Sequence, residues 1–334
     1  MQIGIIGFGQ IGGRHLQSML KLNYPLNIFL VDENADVFNK VSSLSAQIGL
    51  DYKIQSTNLI TVKSHNIYYL SSIKNLPALL DFVIISTTAS KRLESLKELV
   101  KAREIKCLVL EKVLFTHLPD YHEAQKIIQN NKITTYVNCN LRAIDFYQEV
   151  KNRNDFHLIN HMKVTGKSWG LGCNLIHFVD LFTYYFGNIN RDKDEIDCAI
   201  DKIFPSKRAG YIEFNGEVHI KNNQASFYAS STDDATEILK IELSGNQLEV
   251  TFTYEPDAVE ISIKKFDEVE SCHRKHLPLQ SNLTQQYISS FLNNEILPLP
   301  TYEESMGIHL IIINDFIKKL ESKGIICGDT CPIT

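Results

Sequence analysis

Three glycines near the start of the chain have the spacing of a turn that binds a diphosphate. The motif G-x-G-x-x-G consists of Gly7, Phe8, Gly9, Gln10, Ile11 and Gly12. Its first glycine permits a tight turn, the second lets the backbone approach a pyrophosphate, and the third lets a helix pack closely on a strand. The free N–H groups at the start of that helix then bind the phosphates.

An acidic residue at a suitable distance strengthens this interpretation. Asp32 follows Gly12 by about 20 residues, which is the spacing that the motif requires. Its carboxylate is expected to accept hydrogen bonds from the ribose hydroxyls of the adenosine, and its charge would repel a 2′-phosphate. The sequence therefore favours NAD over NADP, while the nearby cations Arg14 and Lys40 keep NADP as the alternative.

The elements that position this motif alternate through the first 140 residues. Apolar runs without polar alternation are typical of strands buried on both faces, and they occur at 3–6, 26–31, 67–70, 82–86, 107–110 and 134–137. Segments with helical spacing lie between them, at 10–22, 35–48, 91–102 and 120–130. This order predicts an α/β domain over residues 1–140, with a doubly wound parallel sheet.

The pattern changes after residue 140. Period-two alternation predicts strands between 196 and 265, with turns at Asn215-Gly216, Asn222-Asn223 and Gly245-Asn246. A helix is predicted over 173–186, ending at Gly187. We therefore expect a second, α+β domain over residues 141–300 with an open, mostly antiparallel sheet. A last helix at about 303–322 could pack back on the first domain.

Composition excludes several classes of protein. The chain has 334 residues, 44% hydrophobic and 22% charged, with a net charge of −5, so wholesale disorder and a nucleic-acid or membrane-surface partner are not expected. No apolar stretch approaches the ~18 residues of a membrane span, and the start lacks the basic region of a signal peptide. Seven scattered cysteines do not form a disulfide framework, so a reducing cytoplasm is the expected location.

These features together resemble the Gfo/Idh/MocA oxidoreductases, a family named after glucose-fructose oxidoreductase and inositol dehydrogenase. Beyond the glycine motif, the resemblance rests on residues 85–88, Glu111-Lys112-Val113, residues 140–142 and the helix that carries His177. It covers essentially the whole chain. It implies an N-terminal Rossmann domain and a C-terminal domain with an open, mostly antiparallel sheet, in agreement with the pattern of the elements.

The resemblance also implies roles for individual residues. Lys112 and His177 would be the two catalytic groups that move the proton of a substrate hydroxyl, and both residue types suit acid–base work. Thr87 would line the cofactor cleft, and Glu111 would lie near the nicotinamide ribose. The residues considered for substrate binding are Trp169, Asn174, Tyr184 and Arg142, and for each a purely structural role stays open.

Three positions depart from the family pattern. Val113 replaces a proline whose peptide bond is often cis in the family, so the local turn can differ. Arg92 stands where many members have histidine. Cys173 occupies the position, four residues before His177, that commonly carries an aspartate. A thiol cannot replace a charged carboxylate unless it is ionised, so either another residue orients His177 or the chemistry differs.

Functions from different classes therefore stay open. The first is an NAD-dependent oxidoreductase that acts on a secondary alcohol or ketone of a sugar, polyol or sugar nucleotide. The second is a catalytically inactive dinucleotide-binding sensor or scaffold, and a third is a reductase of a non-carbohydrate carbonyl or imine. No metal is expected, because His157 and His161 lack a carboxylate partner. We expect a homodimer or homotetramer that associates through the second sheet.

Overall fold

The described part of the chain, residues 1–34 and 36–334 of a computed structural model, contains two eight-stranded sheets. It divides into two compact units. The first unit comprises Met1–Phe115, Pro119–Ala143 and Pro278–Glu303. The second unit comprises Thr116–Leu118, Ile144–Leu277 and Glu304–Thr334. Each unit combines segments that are distant in sequence, and the division predicted at residue 140 stays a prediction.

The sheet of the first unit is mostly parallel. Its strands are β1 (Gln2–Ile6), β2 (Asn27–Val31), β3 (Tyr52–Ser56), β4 (Leu59–Val62), β5 (His65–Leu70), β6 (Leu79–Ile85), β7 (Glu104–Leu110) and β8 (Thr134–Val137). The order is β3-β4-β5-β2-β1-β6-β7-β8, and the pairs from β5 to β8 are parallel. The connecting helices are α1 (Gln10–Met19), α2 (Val37–Gln47), α3 (Ala89–Ala102) and α4 (Leu118–Asn130). The predicted doubly wound sheet is confirmed.

One feature of this half differs from the sequence prediction, and one predicted helix begins at a residue that the structure does not describe. The hairpin of β3 and β4 adds an antiparallel edge to the sheet, and it was not predicted because β3 is exposed along its whole length and has no apolar run. The helix predicted over 35–48 is observed as α2, and Ala35 lies outside the described residues.

The sheet of the second unit is mostly antiparallel. Its strands are β9 (Ile159–Lys167), β10 (Glu195–Pro205), β11 (Ile212–Lys221), β12 (Ser226–Thr232), β13 (Leu239–Gly245), β14 (Leu248–Tyr254), β15 (Ala258–Lys265) and β16 (Glu268–His276). The order is β10-β11-β12-β9-β13-β14-β15-β16. Among the described strands of this sheet, β12 and β9 form the one parallel pair. The remaining helices are α5 (Asp145–Lys151), α6 (Leu171–Phe186), α7 (Gln280–Leu292) and α8 (Tyr302–Ser322). Helix α6 covers one face of this sheet, where the ring of Phe182 lies 5.5 Å from that of Phe227.

One predicted turn is wrong. Asn215-Gly216 lies inside β11, opposite a register shift of β10 between Ile200 and Lys202. A Cβ on Gly216 would lie 2.1 Å from the carbonyl oxygen of Ala199, so the glycine serves the close approach of two strands at a bulge. The other two turns are confirmed, since they connect β11 to β12 and β13 to β14.

The C-terminal helices belong to different units. Helix α7, which the sequence analysis did not predict, packs on α1 in the first unit, where the backbone N–H of Gln285 donates to Ser18 Oγ at 2.8 Å. Helix α8 belongs from Glu304 onward to the second unit, where Phe316 packs edge-to-face on Phe214 at 4.7 Å. The expected packing of this last helix on the first domain stays a prediction. Across residues 1–34 and 36–334, no helix is long and apolar enough to cross a membrane.

Candidate active site

The glycine motif forms the turn between β1 and α1, and each glycine meets a different physical demand. Gly7 has a φ of +86°, which favours glycine. A Cβ on Gly12 would lie 2.3 Å from the carbonyl oxygen of Gly7, whereas a Cβ on Gly9 would meet nothing within 4 Å. The turn is therefore tight, the helix lies close to the strand, and open space lies over Gly9. These are the properties that a diphosphate-binding turn needs.

The start of α1 and the end of β2 meet at this turn. Gly9 is the residue that precedes the helix, and no described side chain caps it. The backbone N–H of Phe8 donates to Asp32 Oδ2 at 2.6 Å, and that of Asn34 donates to Asp32 Oδ1 at 2.9 Å. The Phe8 side chain is fully buried, so only its backbone can serve a ligand. Gln10 and Ile11 are exposed at the helix start.

The loop after β6 contributes a second polar wall beside the glycine turn. Ser86 Oγ donates to the carbonyl oxygen of Gly7 at 2.7 Å. Thr87 Oγ1 is buried and has no hydrogen-bond partner among the described residues. A buried hydroxyl without a partner is costly, and a ligand hydroxyl or amide would satisfy it. The backbone N–H groups at the start of α1, the open turn at Gly9 and the Thr87 hydroxyl together fit a dinucleotide.

Lys112 lies in the loop after β7, and a buried arginine holds that loop. Lys112 is half-buried. Its peptide bond to Val113 is cis although valine replaces the proline of the family pattern. Arg92, which is 2% exposed on α3, donates to the carbonyl oxygens of Leu114 and Thr87 at 2.6 Å each and also to that of Val113. Arg92 thus connects the loops that follow β6 and β7.

Glu111 lies in a buried polar cluster. Its Oε1 accepts hydrogen bonds from His15 Nε2 at 2.8 Å and from Asn138 Nδ2 at 2.6 Å. Burial opposes ionisation, but the hydrogen bonds and the positive potential of His15 and Arg92 outweigh it and lower the pKa of Glu111. Neither His15 nor Asn138 was predicted from the sequence. A histidine on the buried side of α1, three residues after Gly12, was the available signal.

The start of α6 in the second unit is capped by a carboxylate from another element. Glu213 of β11 accepts hydrogen bonds from the backbone N–H groups of Gly172 at 2.5 Å, Phe214 at 3.0 Å and Cys173 at 3.2 Å. A negative charge at a helix N-terminus is stabilising. The Cys173 thiol itself faces the carbonyl oxygen of Gly170 at 3.7 Å. Sequence reasoning missed Glu213, because its 40-residue separation from the helix carries no local signal.

His177 is half-buried, one turn beyond Cys173, and the loop before α6 is anchored next to it. Asn174 Nδ2 donates to the carbonyl oxygen of Trp169 at 2.8 Å, and Trp169 Nε1 donates to that of Ser230 at 2.8 Å. The indole also packs edge-to-face on Phe178 at 5.1 Å. The structure therefore brings Trp169 and Asn174 together near the start of α6.

Two other candidates lie elsewhere. Tyr184 is seven residues beyond His177, which is about 10 Å along a helix, and the ammonium of Lys151 lies 3.5 Å from the centroid of its ring. Arg142 belongs to the first unit, where it is buried in the 3-10 turn Asn140–Ala143.

The chain matches no family model and no curated protein. It does match solved structures over nearly its whole length. An oxidoreductase from Agrobacterium radiobacter, in complex with NAD⁺, L-tartaric acid and magnesium, is 11% identical with a TM-score of 0.71, and the match covers 97% of each chain. The transcriptional regulator Gal80p from Kluyveromyces lactis is 14% identical with a TM-score of 0.69 over 96% of this chain and 92% of that one.

A third similar structure is the UDP-N-acetylglucosamine 3-dehydrogenase GnnA from Acidithiobacillus ferrooxidans. It is 12% identical with a TM-score of 0.66, over 98% of this chain and 97% of that one. At such identities the likeness concerns the fold alone. The chain therefore has the two-domain fold of these structures, with one mostly parallel sheet and one mostly antiparallel sheet.

Proposed function

We propose that this chain is an NAD-dependent oxidoreductase that transfers a hydride between a nicotinamide and a secondary alcohol or ketone carbon of a sugar, polyol or sugar nucleotide. The observation that carries the proposal is the turn at Gly9, open to a ligand, with the Asp32 carboxylate bonded to it. Asp32 favours NAD over NADP, because its charge repels a 2′-phosphate. An NAD⁺ complex and a sugar-nucleotide dehydrogenase among the similar structures support the proposal.

The residues of the first unit have complementary tasks. The N–H groups at the start of α1 bind the diphosphate, Asp32 accepts from the adenosine ribose, and Thr87 Oγ1 forms a hydrogen bond in the cofactor cleft. When bound, the nicotinamide ring supplies the hydride acceptor or donor. Lys112 Nζ takes the alcohol proton in oxidation or returns it in reduction. Its loop is held for this task by Arg92.

For residues of the second unit we propose roles toward the substrate. His177 is the second acid–base group, and its helix is fixed by the Glu213 cap. We assign substrate contacts first to Trp169 and Asn174, because the structure holds both beside the start of α6. Arg142 and Tyr184 are second choices, since Arg142 is buried and Lys151 covers the Tyr184 ring.

An NAD-binding sensor without catalysis is the second candidate. The absence of a carboxylate at Cys173 favours it, and so does the fold likeness to Gal80p, a transcriptional regulator. This candidate keeps the dinucleotide site and lacks only the chemical step after binding. It predicts NAD binding with no turnover of any substrate.

A turnover assay separates the two candidates. Purified chain is incubated with NAD⁺ and a panel of sugars, polyols and sugar nucleotides, and the absorbance of the reduced nicotinamide is measured over time. We expect turnover with at least one compound, and a loss of about hundredfold or more in Lys112→Ala and in His177→Ala. The exposed residues Lys91 and His122 supply the matched controls, Lys91→Ala and His122→Ala. NAD binding with a silent panel would favour the sensor.

We also propose that the chain forms a homodimer or homotetramer through the face of the second sheet opposite α6. Polar residues lie on that face, among them Tyr228, whose hydroxyl donates to Glu217 at 2.9 Å and whose ring lies 4.6 Å from that of His219. A mass of 38.1 kDa in static light scattering would contradict this assembly. Free cysteines at all seven positions support a reducing, cytoplasmic location.

A further inference from the structure

Six buried polar side chains of the first unit form one connected network, which we call the Glu111 cluster. Every member is at most 7% exposed, and its members are His15, Glu111, Asn138, Gln280, Thr284 and Tyr287. Buried polar groups of this kind are stable only when they are hydrogen-bonded. Here the bonds run from Tyr287 to Asn138, from Asn138 to both Glu111 and Gln280, and from Gln280 to Thr284.

His15 closes this network, because both of its ring nitrogens are bonded. Nε2 lies 2.8 Å from Glu111 Oε1, and Nδ1 lies 2.8 Å from Thr284 Oγ1. Thr284 Oγ1 also accepts from Gln280 Nε2 at 2.9 Å, and it lies 3.5 Å from the carbonyl oxygen of Gln280. Because an ionised carboxylate only accepts hydrogen bonds, His15 Nε2 carries a proton and donates it to Glu111.

The position of the cluster relates two parts of the candidate site. His15 lies on α1, three residues beyond Gly12, and is completely buried. Glu111 directly precedes Lys112 at the end of β7, and its backbone N–H bonds to Ile85 of β6 at 3.2 Å. One hydrogen bond therefore joins the helix whose N-terminus faces the diphosphate to the strand end that carries the proposed acid–base lysine.

We propose that His15 is a positioning residue for hydride transfer: through Glu111 it fixes the strand end of Lys112 relative to helix α1, and so relative to the bound dinucleotide. This inference rests on the proposed function. A buried carboxylate that loses a donor must either take up a proton or move toward other donors. A displacement of about 1 Å at a reacting group can slow a reaction by as much as a hundredfold.

The ionisation of Glu111 supplies a readout that needs no substrate. The groups that act on it are His15 from α1, Arg92 from α3 and Asn138, which follows β8. Tyr287 from α7 also faces the cluster, and burial raises the pKa of its phenol. Burial alone would raise the pKa of Glu111, and the hydrogen bond from His15 is the largest of the effects that lower it. Without His15 the pKa rises, so Glu111 binds a proton at a higher pH than in the wild type.

The test compares His15→Leu, which removes both ring nitrogens, with His15→Gln, whose amide places an N–H donor near the position of Nε2. Ser18→Ala is the matched control, because Ser18 is also buried on α1 and bonds to α7, at Gln285, without touching Glu111. We expect His15→Leu to lower kcat about tenfold or more with less than about a threefold change in KM for NAD. His15→Gln should recover most of the loss, and Ser18→Ala should keep the wild-type kcat.

A double-mutant cycle and an infrared spectrum identify the route of the effect. In a Glu111→Gln background, His15→Leu should change kcat no further. The infrared spectrum of His15→Leu should show the C=O band of a protonated carboxyl at a pH where the wild type has none, and the band should vanish in the double variant. Additive effects, or a loss of kcat in Ser18→Ala equal to that in His15→Leu, would overturn the proposal.

A replacement variant and one further outcome allow the role of His15 to be tested separately from the proposed function. Thr284→Val serves where His15→Leu does not fold. It removes the partner of His15 Nδ1 and of Gln280 Nε2 but leaves the bond from His15 Nε2 to Glu111 in place, so it should lower kcat in the same pattern by a smaller factor. An unchanged kcat in that variant would overturn the role of His15. A silent wild-type chain that nevertheless shows the infrared band in His15→Leu contradicts the proposed function and leaves the His15–Glu111 coupling in place.

Discussion

The carboxylate of Asp32 and the backbone N–H of Phe8 lie 2.6 Å apart, so the acid that follows β2 is bonded to the turn that follows β1. A second bond, from the backbone N–H of Asn34 at 2.9 Å, fixes the other carboxylate oxygen. The side chain is thereby held at the turn before any ligand arrives. Because preorganised acceptors lose little freedom on binding, Asp32 should contribute directly to the affinity and the choice of dinucleotide.

Asp32→Asn should weaken NADH binding and reduce the preference of the chain for NADH over NADPH. A hydrogen bond to a charged group is worth about 1 kcal/mol more than a neutral one, so the Kd for NADH should rise about fivefold. Loss of the charge should at the same time ease binding of the 2′-phosphate of NADPH. The fluorescence of the reduced nicotinamide gives both constants. Glu33→Gln removes the same charge one residue away, from a side chain that is 93% exposed, and should leave both unchanged.

Gly9→Ala should leave the fold intact and still impair dinucleotide binding. Its new Cβ meets nothing within 4 Å and its φ of −74° suits alanine, so the melting temperature without ligand should match the wild type. The methyl group would occupy the space where a diphosphate approaches the backbone, and the Kd for NADH should rise about tenfold or more. Unchanged affinity would show that the ligand does not approach Gly9.

Gly12→Ala should differ from Gly9→Ala by damaging stability as well. Its Cβ would lie 2.3 Å from a backbone oxygen, that of Gly7, so α1 must move away from β1. Overpacking of this kind costs about 1–3 kcal/mol. Differential scanning calorimetry measures the loss, and Gly307→Ala, which meets nothing within 4 Å on α8, is the control. A Gly12→Ala chain as stable as the wild type would contradict the close packing.

Glu213→Gln should destabilise the second unit through the start of α6. The carboxylate accepts three backbone N–H groups, whereas an amide has one acceptor oxygen and turns its NH₂ group toward those donors. We expect a loss of about 1–2 kcal/mol in urea unfolding. Glu268→Gln, at an exposed position on β16 of the same sheet, should change stability much less. Equal losses in the two variants would contradict the capping role.

Asp155→Asn should show a pH-dependent effect on stability. The hydrogen bond and charge of Arg153, together with Lys265, lower the pKa of Asp155 to about 2. A carboxyl whose pKa is lowered by folding stabilises the fold above its unfolded value of about 4, and loses that contribution as the pH falls toward 2. The difference between variant and wild type should be about 1 kcal/mol at neutral pH and shrink below pH ~4. A difference independent of pH would contradict this ion pair.

Much of the first unit could be predicted, because its signals are local. The turn at Gly7 and the strand end at Asp32 depend on residues whose spacing is fixed by one βα unit. The buried runs of β1 and β2 lack alternation because helices cover both faces of the sheet. The error at Asn215-Gly216 has the opposite cause, since the same dipeptide suits a hairpin turn or a bulge and only the partner strand decides between them.

The remaining features of the candidate site depend on contacts between distant residues. His15 meets Thr284 across 269 positions, and Glu213 meets Gly172 across 41. The hydrophobic periodicity of the sequence carries no signal for such a pair. Helix α7 was not predicted for a related reason. Its buried face alternates the polar Gln280 and Thr284 with Leu283, Tyr287 and Ile288, so the apolar stripe that marks a helix in sequence is interrupted.

Isothermal titration calorimetry of the folded wild-type chain with NAD⁺ and NADP⁺ tests the central claim most directly, because it needs no knowledge of the substrate. The arrangement of Gly9, the uncapped start of α1 and Asp32 predicts saturable binding of NAD⁺ at one site per chain, with weaker binding of NADP⁺. A chain with a native circular dichroism spectrum that releases or absorbs no heat with either dinucleotide would contradict the account.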